Sequence, residues 1–203
     1  MALKTRIFID FWNFQLSLNS TAPADYRADW KVISPWLMAQ AETIVGSELA
    51  FEGTHVYLST NPRSPSEAKL RDFALNVLDR FPGILVTLIE RKPRNPPTCP
   101  ECHQPITMCP HCSSPMHRTI EKGVDTAIVT DIFKLVWENV LDVVVLVSSD
   151  RDFIPAVKML GAKGFRVINA HFPPDGMQLA RACWGSIDLK TGLAAVERKV
   201  RAK

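Results

Sequence analysis

Val143-Val144-Val145-Leu146-Val147-Ser148-Ser149-Asp150-Arg151-Asp152 decides the fold of this chain. Its first five residues are apolar and four of them β-branched, the composition of a strand buried on both faces, and the run ends in hydroxyls and carboxylates. Far upstream, Arg6-Ile7-Phe8-Ile9-Asp10 has the same form. Strands of this kind build open parallel sheets, whose ligands bind outside the carboxyl ends where the strand order reverses. Asp10, Asp150 and Asp152 would meet there. Two carboxylates about 4 Å apart repel by roughly 4 kcal/mol at an effective dielectric of 20, so an acidic cluster of this kind asks for a divalent cation.

Outward from these two runs, strands and helices alternate. Leu3 to Ile9 is the first strand, and Asp29 to Val45 has helical spacing, with Trp30, Ile33, Leu37, Ala41 and Ile44 on one face and Pro35 in the first turns or at a kink. Phe51 to Leu58 reads as the second strand, Ser66 to Arg80 as a helix closed by Pro82-Gly83, and Ile84 to Glu90 as a third strand covered on both faces. After an interruption the pattern resumes with a helix over Val124 to Asn139, a strand over Asp142 to Ser148, a helix over Phe153 to Leu160 and a fifth strand over Gly164 to Asn169. This succession predicts a doubly wound α/β sheet of order 3-2-1-4-5, with the first and fourth strands side by side. Beyond Pro173-Pro174 the tail is less regular, and Glu197 to Lys203 reads as a basic end that either frays into solvent, the favoured reading, or helps bind phosphate.

A chain of 203 residues with 46% hydrophobic content can bury one substantial core, which leads us to expect one domain over 1–203 with a small insertion at 91–118. No stretch approaches the roughly 18 to 20 apolar residues of a membrane span, and the start runs straight into a strand, so a cytoplasmic protein is expected. The formal charge is +3; setting Asp10, Asp125, Asp150 and Asp152 aside in one site leaves about +7 elsewhere. That excess suits a polyanionic partner and an ordinary basic surface alike.

Three motifs occur in fixed order: Phe8-Ile9-Asp10-Phe11-Trp12-Asn13, Glu121-Lys122-Gly123-Val124-Asp125, and Leu146-Val147-Ser148-Ser149-Asp150-Arg151-Asp152-Phe153. Together they resemble the NYN domain proteins, the LabA-like branch of the PIN-like nuclease superfamily, over roughly Leu3 to Ala170. The resemblance implies a Rossmann-like (PIN-like) sheet and a metal-dependent ribonuclease. Carried over by motif, Asp10, Asp125, Asp150 and Asp152 are the metal-binding acids, Asn13 accompanies the first of them, and Asp131 is an auxiliary acid about 120° around the helix from Asp125. Mg²⁺ or Mn²⁺ held by carboxylates supplies the nucleophile and the charge compensation that phosphodiester hydrolysis needs. Each residue also has a plainer reading: Asp10 as a cap, Asn13 as a turn former, Asp125 as an acid at a helix N-terminus, and Asp150 or Asp152 as the cap of the helix opening at Phe153. Ser149 and Arg151 depart from the small residues that commonly flank the first acid of the pair. Arg151 there either contacts phosphate or pairs with an acid and damps activity.

Arg91 to His117 breaks the alternation with seven prolines and four of the five cysteines. Cys99-Pro100-Glu101-Cys102 and Cys109-Pro110-His111-Cys112 are two CPxC knuckles six residues apart, a zinc-ribbon-like spacing in which four thiolates fill the shell of a structural Zn²⁺ and order a segment without a core. His103, His111 and His117 are minor alternative ligands. Thioredoxin-like chemistry is disfavoured, because there are two pairs and neither opens a helix after a strand. Three roles stay open for the insert: gripping RNA, contacting a protein partner, or stiffening the path from the third strand to Asp125. Cys183, alone, reads as a small buried hydrophobe.

Arg63 and Lys69 after the second strand, Arg91, Lys92 and Arg94 after the third, Arg118 and Lys122 before Asp125, and Arg151 itself form an expected basic rim for RNA phosphates. Trp12 and Phe14 offer either stacking faces or core. The rival reading is an RNA- or protein-binding regulator on a nuclease-like fold with little or no catalysis. Two other acidic folds fit less well. The Toprim class expects Glu where this chain has Asp10, and the haloacid-dehalogenase class expects DxD on the first strand, where Phe11-Trp12 follow Asp10.

Overall fold

The computed structural model describes residues 2–116, 118–120 and 122–199 and, of residues 93, 94 and 118–120, the backbone alone. At its centre β1 (Leu3–Asp10) runs parallel between β2 (Leu49–Thr60) and β6 (Val143–Val147). β3 (Ile84–Glu90) flanks β2, and β7 (Arg166–His171) and β8 (Gly185–Asp188) extend the sheet beyond β6, every pair parallel. The order is β3-β2-β1-β6-β7-β8. It matches the expected 3-2-1-4-5 and adds a sixth strand at the edge. β4 (Lys92–Arg94) and β5 (Arg118–Ile120) form a separate antiparallel ribbon at the base of the insert.

Helices cover both faces, as a parallel sheet requires. α1 (Phe11–Thr21), α2 (Trp30–Val45) and α3 (Ala68–Asn76) pack with Ile7, Ile9, Val56 and Ile168. α4 (Val124–Trp137), α5 (Ile154–Ala162) and α6 (Met177–Ala182) pack with Phe8, Tyr57, Leu146 and Val167 on the other face. Pro35 lies inside α2, which continues through it to Gly46, a left-handed C-cap at φ 70°. The helix expected over Ser66 to Arg80 is shorter, with 3₁₀ turns at Pro65–Glu67 and Leu78–Arg80 on either side of α3. α1, α6 and β8 were not anticipated.

One irregularity sets the register of the site. Between Thr5 and Arg6 the pairing of β1 with β2 skips a residue, so that Arg6 faces Gly53 and Asp10 faces Tyr57. Gly53, at φ 136°, takes the backbone conformation of this bulge, which turns His55 and Tyr57 toward the α4 side.

The C-terminal segment folds back on the start of α2. Val196 O accepts from Asp29 N (2.8 Å), Arg198 N donates to Arg27 O (2.7 Å) and Tyr26 Oη donates to Leu193 O (2.7 Å). Leu189 and Val196 are buried in the core beneath. Among the described residues no helix is long and apolar enough to cross a membrane.

Candidate functional site

β1 and β6 are adjacent, and Ile9 pairs with Val147, so their acidic ends lie side by side. Asp10, only 5% exposed, is the N-cap of α1: its Oδ1 accepts from Asn13 N (3.2 Å). Ser148 Oγ donates to Asp10 Oδ2 (3.4 Å) and accepts from Asp150 N (3.1 Å). One hydroxyl therefore stands between the first acid and the start of the second acidic segment. Asp150 in turn caps the 3₁₀ turn Arg151–Phe153, its Oδ1 accepting from Asp152 N (2.9 Å). The capping reading and the site reading thus coexist at Asp10 and Asp150.

Two amides hold this crossing in place. Asn13 Oδ1 accepts from Ser149 N (2.7 Å), tying α1 to the end of β6. Fully buried Asn169 donates through Nδ2 to Leu146 O (3.0 Å) and Ser148 O (2.8 Å), fixing the strand end from the β7 side. From the loop before α6, Gly176 at φ 78° presses on Ser149; a Cβ there would lie 3.0 Å from Ser149 Cα.

Asp125 is exposed on the first turn of α4, where the helix dipole favours an acid, and Asp152 is exposed beyond Asp150. Among the described residues, no three His, Cys, Asp or Glu side chains converge into a group that could enclose a metal by themselves. Asp131 stands elsewhere, in a chain of hydrogen bonds beneath α4. Arg6 Nη1 meets His55 Nε2 (2.9 Å), His55 Nδ1 meets Tyr57 Oη (3.3 Å), and Tyr57 Oη donates to Asp131 Oδ2 (2.7 Å). Arginine can only donate, so Nε2 accepts, Nδ1 carries the hydrogen, and the whole chain points toward Asp131. Burial and then the Asp131 bond push the Tyr57 phenol far above its ordinary pKa, which keeps it a donor. Burial and then the Arg6 charge lower the pKa of His55, with Asp131 opposing them.

On the expected basic rim, Arg63, Lys69, Lys92, Lys122 and Arg151 are exposed. The side chains of Arg94 and Arg118 lie outside the described residues, as do His117 and Glu121 and the tail from residue 200. Arg91 is engaged within the fold: its guanidinium lies 5.0 Å from the Trp12 ring centroid, Nε donates to Ser59 Oγ (2.9 Å) and Nη1 pairs with Glu67 (3.4 Å). Trp12 is also held, donating from Nε1 to Ser59 O (2.7 Å), and Phe14 is core, packed on Trp30 and Phe172. A stacking role for Phe14 is therefore set aside. The cleft beside Asp150 is lined by Ser149, Arg151, Pro174, Asp175 and Gln178.

Ser148, Asn169 and Tyr57 are the residues that sequence reasoning missed. The only signal for Ser148 was a hydroxyl placed where the β6 apolar run stops.

The family model for the NYN domain matches residues 4–190. This chain belongs to the NYN domain family. An NYN domain is a member of the PIN-like nuclease superfamily, which accords with acids at the carboxyl edge of the sheet. Comparison with curated proteins finds no match. Among solved structures, this NYN domain is similar to a protein of unknown function from Vibrio parahaemolyticus, at 16% identity over 93% of each chain with a TM-score of 0.53. That likeness concerns the fold alone.

Proposed function

We propose that this NYN domain is an endoribonuclease that hydrolyses RNA phosphodiester bonds with Mg²⁺ or Mn²⁺ at the carboxyl edge of the sheet. The observation that carries the reading is the Ser148 hydroxyl, which joins Asp10 to the Asp150 segment across adjacent strand ends. The available donors are carboxylate, hydroxyl and amide oxygens, the ligands of hard cations. Magnesium takes one or two carboxylates directly and keeps several waters, so the absence of a tighter acidic group among the described residues is compatible with it. Asp10 and Asp150 would hold the ion, with Asp125 and Asp152 reaching it through water. When bound, such an ion supplies a hydroxide-like nucleophile and compensates charge on the phosphoryl oxygens. Asn13 and Ser148 keep the two strand ends in register, and the exposed Arg63, Lys69, Lys92, Lys122 and Arg151 offer positive charge to RNA phosphates. A reducing, cytoplasmic setting would keep the cysteines of the insert from forming disulfides.

The test is incubation of single-stranded and structured RNA, with DNA controls, in manganese or in chelator, comparing wild type with Asp10→Asn. Asparagine also caps helices well, so α1 should survive the change. Cleavage should fall by more than the ~10–100-fold typical of losing a residue that only supports a metal ligand. Cleavage that persists in chelator, or in the variant, would overturn the metal mechanism. RNA bound in manganese without turnover would instead favour a binding regulator on the same scaffold. That second reading draws its support from the loosely gathered acids and from the exposed Arg151 between Asp150 and Asp152.

A further inference from the structure

The insert between β3 and α4 is one loop built twice, ten residues apart. Cys99 N donates to Gln104 O (2.9 Å) as Cys109 N does to Ser114 O (2.9 Å). His103 N donates to Cys99 O (2.9 Å) as Ser113 N does to Cys109 O (2.9 Å). The fifth residue of each loop is left-handed, His103 at φ 57° and Ser113 at φ 55°, and each loop is closed by a bridge, Thr98 to Pro105 and Met108 to Pro115. Non-glycine residues enter that region rarely, and a conformation repeated in full at two sites has a common cause.

Apolar burial is not that cause. From residue 95 to residue 116 no residue is buried, and Ile106 and Met108 face solvent. Each loop instead sets its two thiols close together, Cys99 with Cys102 and Cys109 with Cys112. The structure stops at two pairs; it does not draw three or more of the thiols into one group.

We propose that the two loops are half-sites for a single Zn²⁺ bound by Cys99, Cys102, Cys109 and Cys112, and that this ion ties the β4–β5 ribbon from which the chain enters α4 at Gly123 and Asp125. Four sulfur ligands close the zinc shell, so the ion is structural and takes no part in chemistry at the acids. The connection to the acidic edge is short. β4 begins two residues after β3 ends, and β5 ends at Ile120, paired with Lys92 and five residues before Asp125. Of the three roles open to the insert, this placement favours stiffening the path to Asp125. That second half rests on the ribonuclease reading; the zinc site does not.

The test begins with metal content. Protein purified under reducing conditions should carry one zinc per chain, and Co²⁺ put in its place should give the visible absorption of tetrahedral thiolate coordination, lost in both Cys99→Ser and Cys109→Ser. Two cobalt ions per chain, a spectrum that survives either substitution, or reduced protein that takes up no cobalt would overturn the site. These readouts stand whether or not the protein cleaves RNA. If it does, Cys109→Ser should lower the cleavage rate by at least tenfold at saturating manganese while circular dichroism shows the main sheet retained. An unchanged rate would overturn the tie to Asp125 and leave the zinc site intact.

Discussion

Replacing Tyr57 with phenylalanine removes one oxygen from the middle of the buried hydrogen-bond chain and leaves the ring in place. Tyr57 is fully buried and its hydroxyl lies 2.7 Å from Asp131 Oδ2, so the change creates almost no cavity and its cost is nearly all polar. A hydrogen bond to a charged group contributes about 1.5–3 kcal/mol, and the His55 Nδ1 hydrogen would also lose its acceptor. Asp131 is half-buried and water can replace part of what it loses, which places the expectation near the lower end, about 1.5–2 kcal/mol. For a chain of this length that corresponds to a fall in Tm of roughly 3–8 °C. Urea unfolding should show a lower midpoint at unchanged slope. A double-mutant cycle with Asp131→Ala should return a coupling of about 1 kcal/mol or more. A Tyr57→Phe protein within about 0.5 kcal/mol of wild type, or a coupling near zero, would mean that the chain does not fasten α4 to β2.

The same chain gives stability a pH dependence. Because burial and Arg6 lower the pKa of His55 below its ordinary 6.5, the unfolded state binds the proton first. The contribution is complete above about pH 6.5 and is lost as the pH falls through the folded-state value. A Tm scan from pH 7.5 to 5 should therefore fall more steeply for wild type than for His55→Gln; parallel curves would contradict this. Gly176→Ala should destabilise by about 1–3 kcal/mol, because it combines a left-handed φ with a contact on Ser149 Cα. Gly164→Ala is the control, at φ 87° with open space around it. If the two variants cost the same in urea unfolding, the α6 loop is not packed as tightly on the β6 end as described.

Much of the site was readable because its parts are local. β6 is a continuous apolar run and β1 becomes one from Ile7 to Ile9, and a parallel sheet brings the ends of β1 and β6 together wherever the intervening chain goes. α1 was not readable in the same way. Phe11 to Thr21 contains no charged residue, so the stripe of Phe11, Phe14 and Leu18 stands out little from its surroundings, and its clearest signal, a capping aspartate, had already been assigned to chemistry. β8 is four residues long and follows a diproline, and its hydrogen bonds come from β7. Asp131, about 120° around the helix from Asp125, entered only as an auxiliary acid implied by the family pattern. Its partner is chosen by the β2 bulge at Gly53, which turns Tyr57 to the α4 face and has no counterpart in hydrophobic periodicity. The CPxC spacing was plain in the sequence, whereas the equivalence of the two loops down to single backbone bonds needed coordinates.

The return of the chain onto α2 bears on where this domain can be cut. Residues past 190 lie outside the family match, yet Val196 is part of the hydrophobic interior and its carbonyl receives the amide of Asp29, the capping residue of α2. A fragment trimmed to the matched span would unseat the helix start and uncover Trp30 and Trp36 beneath it, a defect at the opposite extremity of the sequence from the cut. Any minimal version meant to keep the start of α2 in place has to run through Arg198, so homology alone draws its border too early.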